Sequence, residues 1–107
     1  MADRTQRIAE LNDQFRTTGL GGQIVMTQGV SRHQFKEQVL AAVREFGDFT
    51  EANDPHGEHD FGAVTVDGET FFWKVDYCDL SMQYLSEDPS DPAKTCRVLT
   101  IMLAEEY

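Results

Sequence analysis

"FGAVTVDGETFFWKVDY", residues 61–77, decides the fold class. Asp67-Gly68 suits a type I′ turn, whose twist matches that of the strands it joins. Beyond the turn, Phe71, Trp73, Val75 and Tyr77 alternate with Phe72, Lys74 and Asp76. One face is apolar and aromatic, the other mostly polar. A period of two over this length predicts an antiparallel hairpin with one face covered.

Toward higher numbers, "LSMQY" (80–84) continues the alternation through Leu80, Met82 and Tyr84 and predicts a third strand of the meander. "SEDPSDP" (86–92) is a turn. Asp91 suits an N-cap and Pro92 a first helical position, which predicts a last helix from Pro92 to about Glu105. Val98, Leu99 and Met102 would share one face of it, with Ile101 and Leu103 off that face. So wide an apolar surface suits either a core helix or a homodimer through this C-terminal helix.

Toward lower numbers, "DFTEANDPHGEHD" (48–60) has no apolar period and many turn formers. Pro55 holds Asp54 extended, and Gly57 permits a bend. Before it, Ser31 and Gln34 resemble a capping box. Phe35, Val39, Ala42, Val43 and Phe46 then follow helical spacing to Gly47, with His33 on the surface of the first turn. "QIVMTQ" (23–28) reads as a strand between glycines and lacks the order of a phosphate loop. Residues 3–17 read as a helix with Ile8, Leu11 and Phe15 as its stripe, Asn12 at the stripe's edge, and Gly19 as its stop. The expectation is one α+β domain over residues 1–107, in the order α-β-α-β-β-β-α. Its two layers would be an antiparallel sheet (a three-strand meander plus one N-terminal strand) with helices packed on one face.

Charge narrows the function. The net formal charge is −10. Residues 1–47 hold six Lys/Arg against five Asp/Glu, whereas residues 48–107 hold three against fourteen. Such a surface repels phosphates and favours basic partners. Trp73, Tyr77 and Tyr84 lack the basic groove of a base-stacking protein, so no direct nucleic-acid binding is expected and the stripe is assigned to the core. No apolar run approaches twenty residues and the N-terminus has no apolar signal region, so neither a membrane span nor a secretory signal is expected. Cys78 and Cys96 are far apart in sequence and form no CxxC. They are expected to be reduced, small buried residues of a cytoplasmic protein.

The stretch "NDPHGEHDFG" (53–62) raises the chemical question. His56 and His59 stand as HxxH among Glu51, Asp54, Glu58 and Asp60. The ligand types suit zinc or manganese, but no recognised metal spacing is present, so no cofactor is expected. His59 beside Asp60 could be an oriented imidazole for acid–base work. No nucleophile elbow marks Cys78, Ser81 or Ser86. The third reading is structural: Asn53 and Asp54 form side-chain turns, Gly57 bends, and Phe61 anchors the loop.

Taken together, "RIAELNDQFR", "NDPHGEHDFGAVTVDGETFFWKVDYCD" and "SEDPSDPAKTCRVLTIMLAEEY" resemble a family of small bacterial proteins known as a domain of unknown function, with cysteine at position 96 where a small polar residue is expected. The resemblance covers nearly the whole chain. It implies that the polar loop, in the form NDPxGEHDFG, is a family hallmark, and it supplies no catalytic residues. It also implies a setting near bacterial mobile elements. By analogy of size, charge and setting, it suggests an inhibitor of nucleic-acid defence, anti-CRISPR-like.

The leading expectation is therefore a small acidic interaction protein without catalytic activity. It would bind a basic protein surface through Glu51, Asp54, Glu58 and Asp60 in the loop and Glu87, Asp88 and Asp91 further on. Apolar or aromatic contacts would be needed for anchoring. The alternatives are a small metal-dependent or acid–base hydrolase built on His56, His59 and Asp60, and a structural homodimer.

Overall fold

The computed structural model describes residues 3–107. Helix α1 spans Arg4–Thr18. Asp3 caps it by accepting the Gln6 N–H at 2.7 Å, and Gly19 ends it in the left-handed conformation at φ 75°. Strand β1 is Gly22–Met26. The helix expected from Ser31 is two pieces, a one-turn α2 (Gln28–Ser31) and α3 (Lys36–Glu45). Ser31 ends α2, so the expected capping box does not open a helix. The break has a local cause: the His33 ring accepts the Phe35 N–H through Nδ1 at 3.0 Å. Its Nε2 meets Glu69 at 2.8 Å and its ring packs edge-on against Phe71, so His33 is half-buried and not a solvated surface residue.

The hairpin forms as read. Strands β2 (Phe61–Val66) and β3 (Glu69–Cys78) pair antiparallel around Asp67-Gly68. Asp67 and Gly68 have φ of 52° and 78°, the pair of positive values a type I′ turn requires. Gly62 lies opposite Trp73, and a Cβ there would meet the indole nitrogen at 2.5 Å, so the indole is seated on a bare backbone.

The expected last helix is a strand. Residues Cys96–Leu103 form β4, which pairs antiparallel with β3 on one side and parallel with β1 on the other. The strand order is β1-β4-β3-β2, so the sheet is mixed. Asp91 does accept the Ala93 N–H at 2.9 Å, and the Lys94 N–H reaches the Asp91 carbonyl. The capping chemistry is real but closes one turn only. The strand "CRVLTIML" is apolar at nearly every position although its burial alternates, with Arg97, Leu99 and Ile101 buried and Val98 and Thr100 half-buried, so the residues themselves carry no period of two. Ile101 sits in the core opposite Trp73, and among the described residues there is no C-terminal α-helix through which a homodimer could form.

The expected third meander strand is also absent among the described residues. Only Cys78–Leu85 pair there, as an isolated bridge. Met82 lies at φ 64°, a left-handed backbone that ends any strand alternation. The core packs between the helices and one sheet face: Phe15, Val30, Val39 and Val43 against Val64, Phe71, Trp73, Val75, Leu99 and Ile101. Burying this apolar surface at about 25 cal/mol per Å² is the main stabilising contribution. The domain is thus α+β, with a helix order and a parallel pair that differ from the expectation.

Candidate functional site

The polar loop leaves α3 and is built by its own turn chemistry. Asn53 accepts the Thr50 N–H at 2.8 Å through its side-chain oxygen and donates to the Asp48 carbonyl at 2.8 Å. Asp54 accepts the His59 N–H at 3.2 Å, and Gly57 and His59 take φ of 70° and 56°. The turn aims His59 inward. Its ring lies flat on Phe49, with centroids 3.8 Å apart and 1° between planes. Nδ1 sits 2.9 Å from Asp13 on α1, and Nε2 sits 3.6 Å from Asp54, whose side chain is only 6% exposed. Carboxylates therefore stand at both nitrogens of the ring.

Two further α1 residues complete the anchorage. Asn12 is fully buried. It donates to the Glu58 carbonyl at 2.9 Å and to the Tyr77 hydroxyl at 2.8 Å, and it accepts from Arg97 Nε at 2.6 Å. Tyr77 in turn donates to the Glu58 carboxylate at 2.8 Å. Burial pushes the Tyr77 phenol far up from its ordinary value. The Arg97 guanidinium also donates to the Pro89 carbonyl and lies 5.3 Å from the Tyr77 ring centroid, while burial lowers its pKa. Arg16, one helical turn after Asn12, donates to the Val43 and Arg44 carbonyls at the end of α3 and to Asp13. Its guanidinium carbon is 5.0 Å from the Trp73 ring centroid, a stacked geometry that suits arginine.

The sequence-named acids divide accordingly. Asp54 and Glu58 face inward as hydrogen-bond acceptors. Asp60 is half-buried, and desolvation, with Glu58 nearby, raises its pKa. Glu51 and His56 are exposed. Among the described residues, no three His, Cys, Asp or Glu side chains come together as a metal site. An open groove of about 390 Å³ lies beside His59, lined by Asp3, Gln6, Glu10, Asp13 and Gly57.

The second region is the excursion from β3 to β4, residues 79–95. Asp79 organises it, its carboxylate accepting from the Ser81 hydroxyl at 2.7 Å and the Gln83 N–H at 3.3 Å. These bonds, the Ser81 hydroxyl first, hold its carboxyl below the usual range. The Asp79 N–H donates to the Tyr84 carbonyl, closing the turn. Leu80, Met82, Tyr84 and Leu85 point outward, with exposures of 67%, 39%, 71% and 82%. Tyr84 is therefore not core. Glu87 is exposed and meets Lys94 at 3.4 Å, Asp88 meets Arg4 at 3.3 Å, and Asp91 is half-buried in its turn. The segment's base is pinned by Thr95, whose hydroxyl donates to the Asp88 carbonyl at 2.8 Å.

Sequence reading missed Asn12 and Asp13 as partners of the loop, Arg16 as the tie to the end of α3, and Arg97 as the donor to Asn12. A signal exists for two of them: Asn12 and Arg16 continue the Ile8 face at helical spacing, so polar groups on that face must find partners. Arg97 carries a signal only once residues 96–103 are read as a strand, when it aligns with Leu99 and Ile101.

The fold and its loop define a small α+β domain whose polar residues are organised around one helix. The chain belongs to the family described as "protein of unknown function (DUF3768)", whose model matches residues 4–106. No curated protein and no solved structure matches it. Among the described residues, no helix is long and apolar enough to cross a membrane.

Proposed function

We propose that this chain is a non-catalytic interaction protein that docks on a basic protein surface through the 79–95 excursion. One observation carries the reading: four large apolar side chains stand exposed within six residues, on a turn fixed by Asp79. A cluster of this kind on a soluble domain marks a contact site, since scattered exposed apolar residues are ordinary and contiguous ones are not. The same segment carries Asp79, Glu87, Asp88 and Asp91 against Lys94 alone. Apolar anchors inside an acidic rim give affinity from the first and encounter rate from the second. Surfaces with the matching basic charge are common on cytoplasmic proteins that handle nucleic acid, which extends the proposal to an anti-CRISPR-like inhibitor of a nucleic-acid defence system. The NDPHGEHDFG stretch, on this reading, is a hallmark because it builds the fold. Glu51 adds to the acidic exterior from the far loop, while Asp54, Glu58 and Asp60 serve the interior.

The test is retention of partners from the native host at low and high salt, with the wild type beside a Leu80→Ser/Leu85→Ser double variant. A partner lost both at high salt and in the double variant is expected. Identical retention by both proteins would end the proposal.

A second reading, acid–base hydrolysis, is favoured by the Asp13–His59 pair opening on the groove. Its requirement is a turnover on ester or phosphoester substrates that His59→Ala abolishes, and metal content that chelation removes if His56 joins it.

A further inference from the structure

Cys78 and Cys96, remote in sequence, are the last residue of β3 and the first of β4, directly opposite each other in register. Both are free and half-buried, not fully buried as the sequence suggested. Opposed residues of an antiparallel pair point their Cβ atoms to the same sheet face. The Ser86 N–H bonds to the Tyr77 carbonyl and the Asp79 N–H to the Tyr84 carbonyl, so residues 77 and 79 face the 84–86 side. The Cys78 backbone therefore faces β4, and Cys78–Cys96 is a hydrogen-bonded pair with Cα atoms about 5.5 Å apart. A disulfide spans roughly 4.4–6.8 Å between Cα atoms, so the pair lies within range, with the Cβ atoms, about 5.5 Å apart at such a site, drawing in to roughly 4.5 Å or less. The pair also occupies a distinctive place in the chain: it forms the neck of the 79–95 excursion.

We propose that Cys78 and Cys96 form a reversible dithiol–disulfide pair, in which a low-molecular-weight disulfide such as oxidised glutathione closes an S–S bond across this neck. One cysteine thiolate attacks oxidised glutathione and releases one glutathione thiolate. The second cysteine thiolate attacks the protein sulfur of the mixed disulfide and releases the other. Two electrons leave the cysteines, and their two protons end on the two glutathione thiols. Burial, with Asp76, Cys96 and Asp79 nearby, raises the Cys78 thiol pKa. Closure is consequently slow, but the dithiol form gains no stabilisation from a thiolate. In a reducing compartment such a bond is transient, which fits a regulatory staple better than a permanent one. The proposal stands on the register alone and does not depend on what the excursion binds.

The experiment equilibrates the full chain in glutathione redox buffers, traps free thiols by alkylation, and maps the products by mass spectrometry. The expected product is a monomer lighter by two hydrogens, with the Cys78 and Cys96 peptides linked. Closing a loop of this length should raise Tm by at least about 5 °C. Proteolysis within residues 79–95 should slow, and Cys78→Ser and Cys96→Ser should each abolish both effects. Chains in which both sulfurs carry glutathione, or disulfide-linked dimers in place of the internal bond, would overturn the proposal. So would a fully alkylated dithiol under the most oxidising buffer.

Discussion

The two long irregular segments of this domain face opposite ways. Residues 48–60 are rich in charged and polar groups, yet His59, Asp54 and Glu58 turn toward α1 and the end of the sheet. Residues 79–95 carry the alternation of a strand and the capping signal of a helix, yet Leu80, Tyr84 and Leu85 turn to solvent. Composition alone orders the two the other way round. What decides is the availability of partners. Asn12 and Arg97 are buried polar groups that must be satisfied, and the polar loop satisfies Asn12. Among the described residues no helix covers the apolar turn, so its side chains remain outside.

The contrast can be broken first at Arg97. Arg97→Ala removes the donor to Asn12 and to the Pro89 carbonyl and should destabilise by about 2–4 kcal/mol, as loss of charged hydrogen bonds that leaves two acceptors unpaired does. Chemical denaturation measures it, and a loss below about 1 kcal/mol would mean that the network is ornamental. Next comes Tyr77→Phe, which deletes one hydroxyl shared by Asn12 and Glu58 and should cost about 1–2 kcal/mol.

Asp60→Asn acts in the opposite direction. Asp60 holds its proton in the folded state to a higher pH than its unfolded value of 3.8. Its contribution to stability is thus fully present below that value and is lost as pH rises through the folded pKa. At neutral pH the ionised group opposes folding, so the amide should raise Tm there and leave it unchanged in acid. The gain should be smaller than the Tyr77→Phe loss, because the group is only half-buried. A fall in Tm at neutral pH would reverse the assignment. The smallest effect belongs to the outward segment: Leu80→Ser/Leu85→Ser should change stability by less than about 0.5 kcal/mol. A larger loss would show that these residues pack against something within the domain.

Much of the architecture was legible in the sequence, and the misses share a physical cause. The β2–β3 hairpin was readable because one face is wet and the other dry, so its period survives in the residues. Helix α1 was readable from the spacing of Ile8, Leu11 and Phe15 and from Gly19 at its end. Residues 96–103 were not, because Val98 and Met102 on the opposite face are apolar too and hide that period, and because Asp91-Pro92 begins a genuine turn. Leu80–Tyr84 misled because alternation is a statement about spacing, while the left-handed backbone at Met82 is a statement about geometry. In the loop, the turn formers were visible but their recipients were not: Asp13 lies 46 positions from His59, and no local pattern links them.

The parallel pairing of β1 with β4 has a consequence for biosynthesis. Residues 22–26 must wait for residues 97–101 before they acquire a neighbour in the sheet. Strand β3 too lacks its second flank until that moment. Nascent chains interrupted upstream of Cys96 would leave the edges of β1 and β3 open and the indole of Trp73 without its cover from Ile101. They are natural clients for chaperones and proteases.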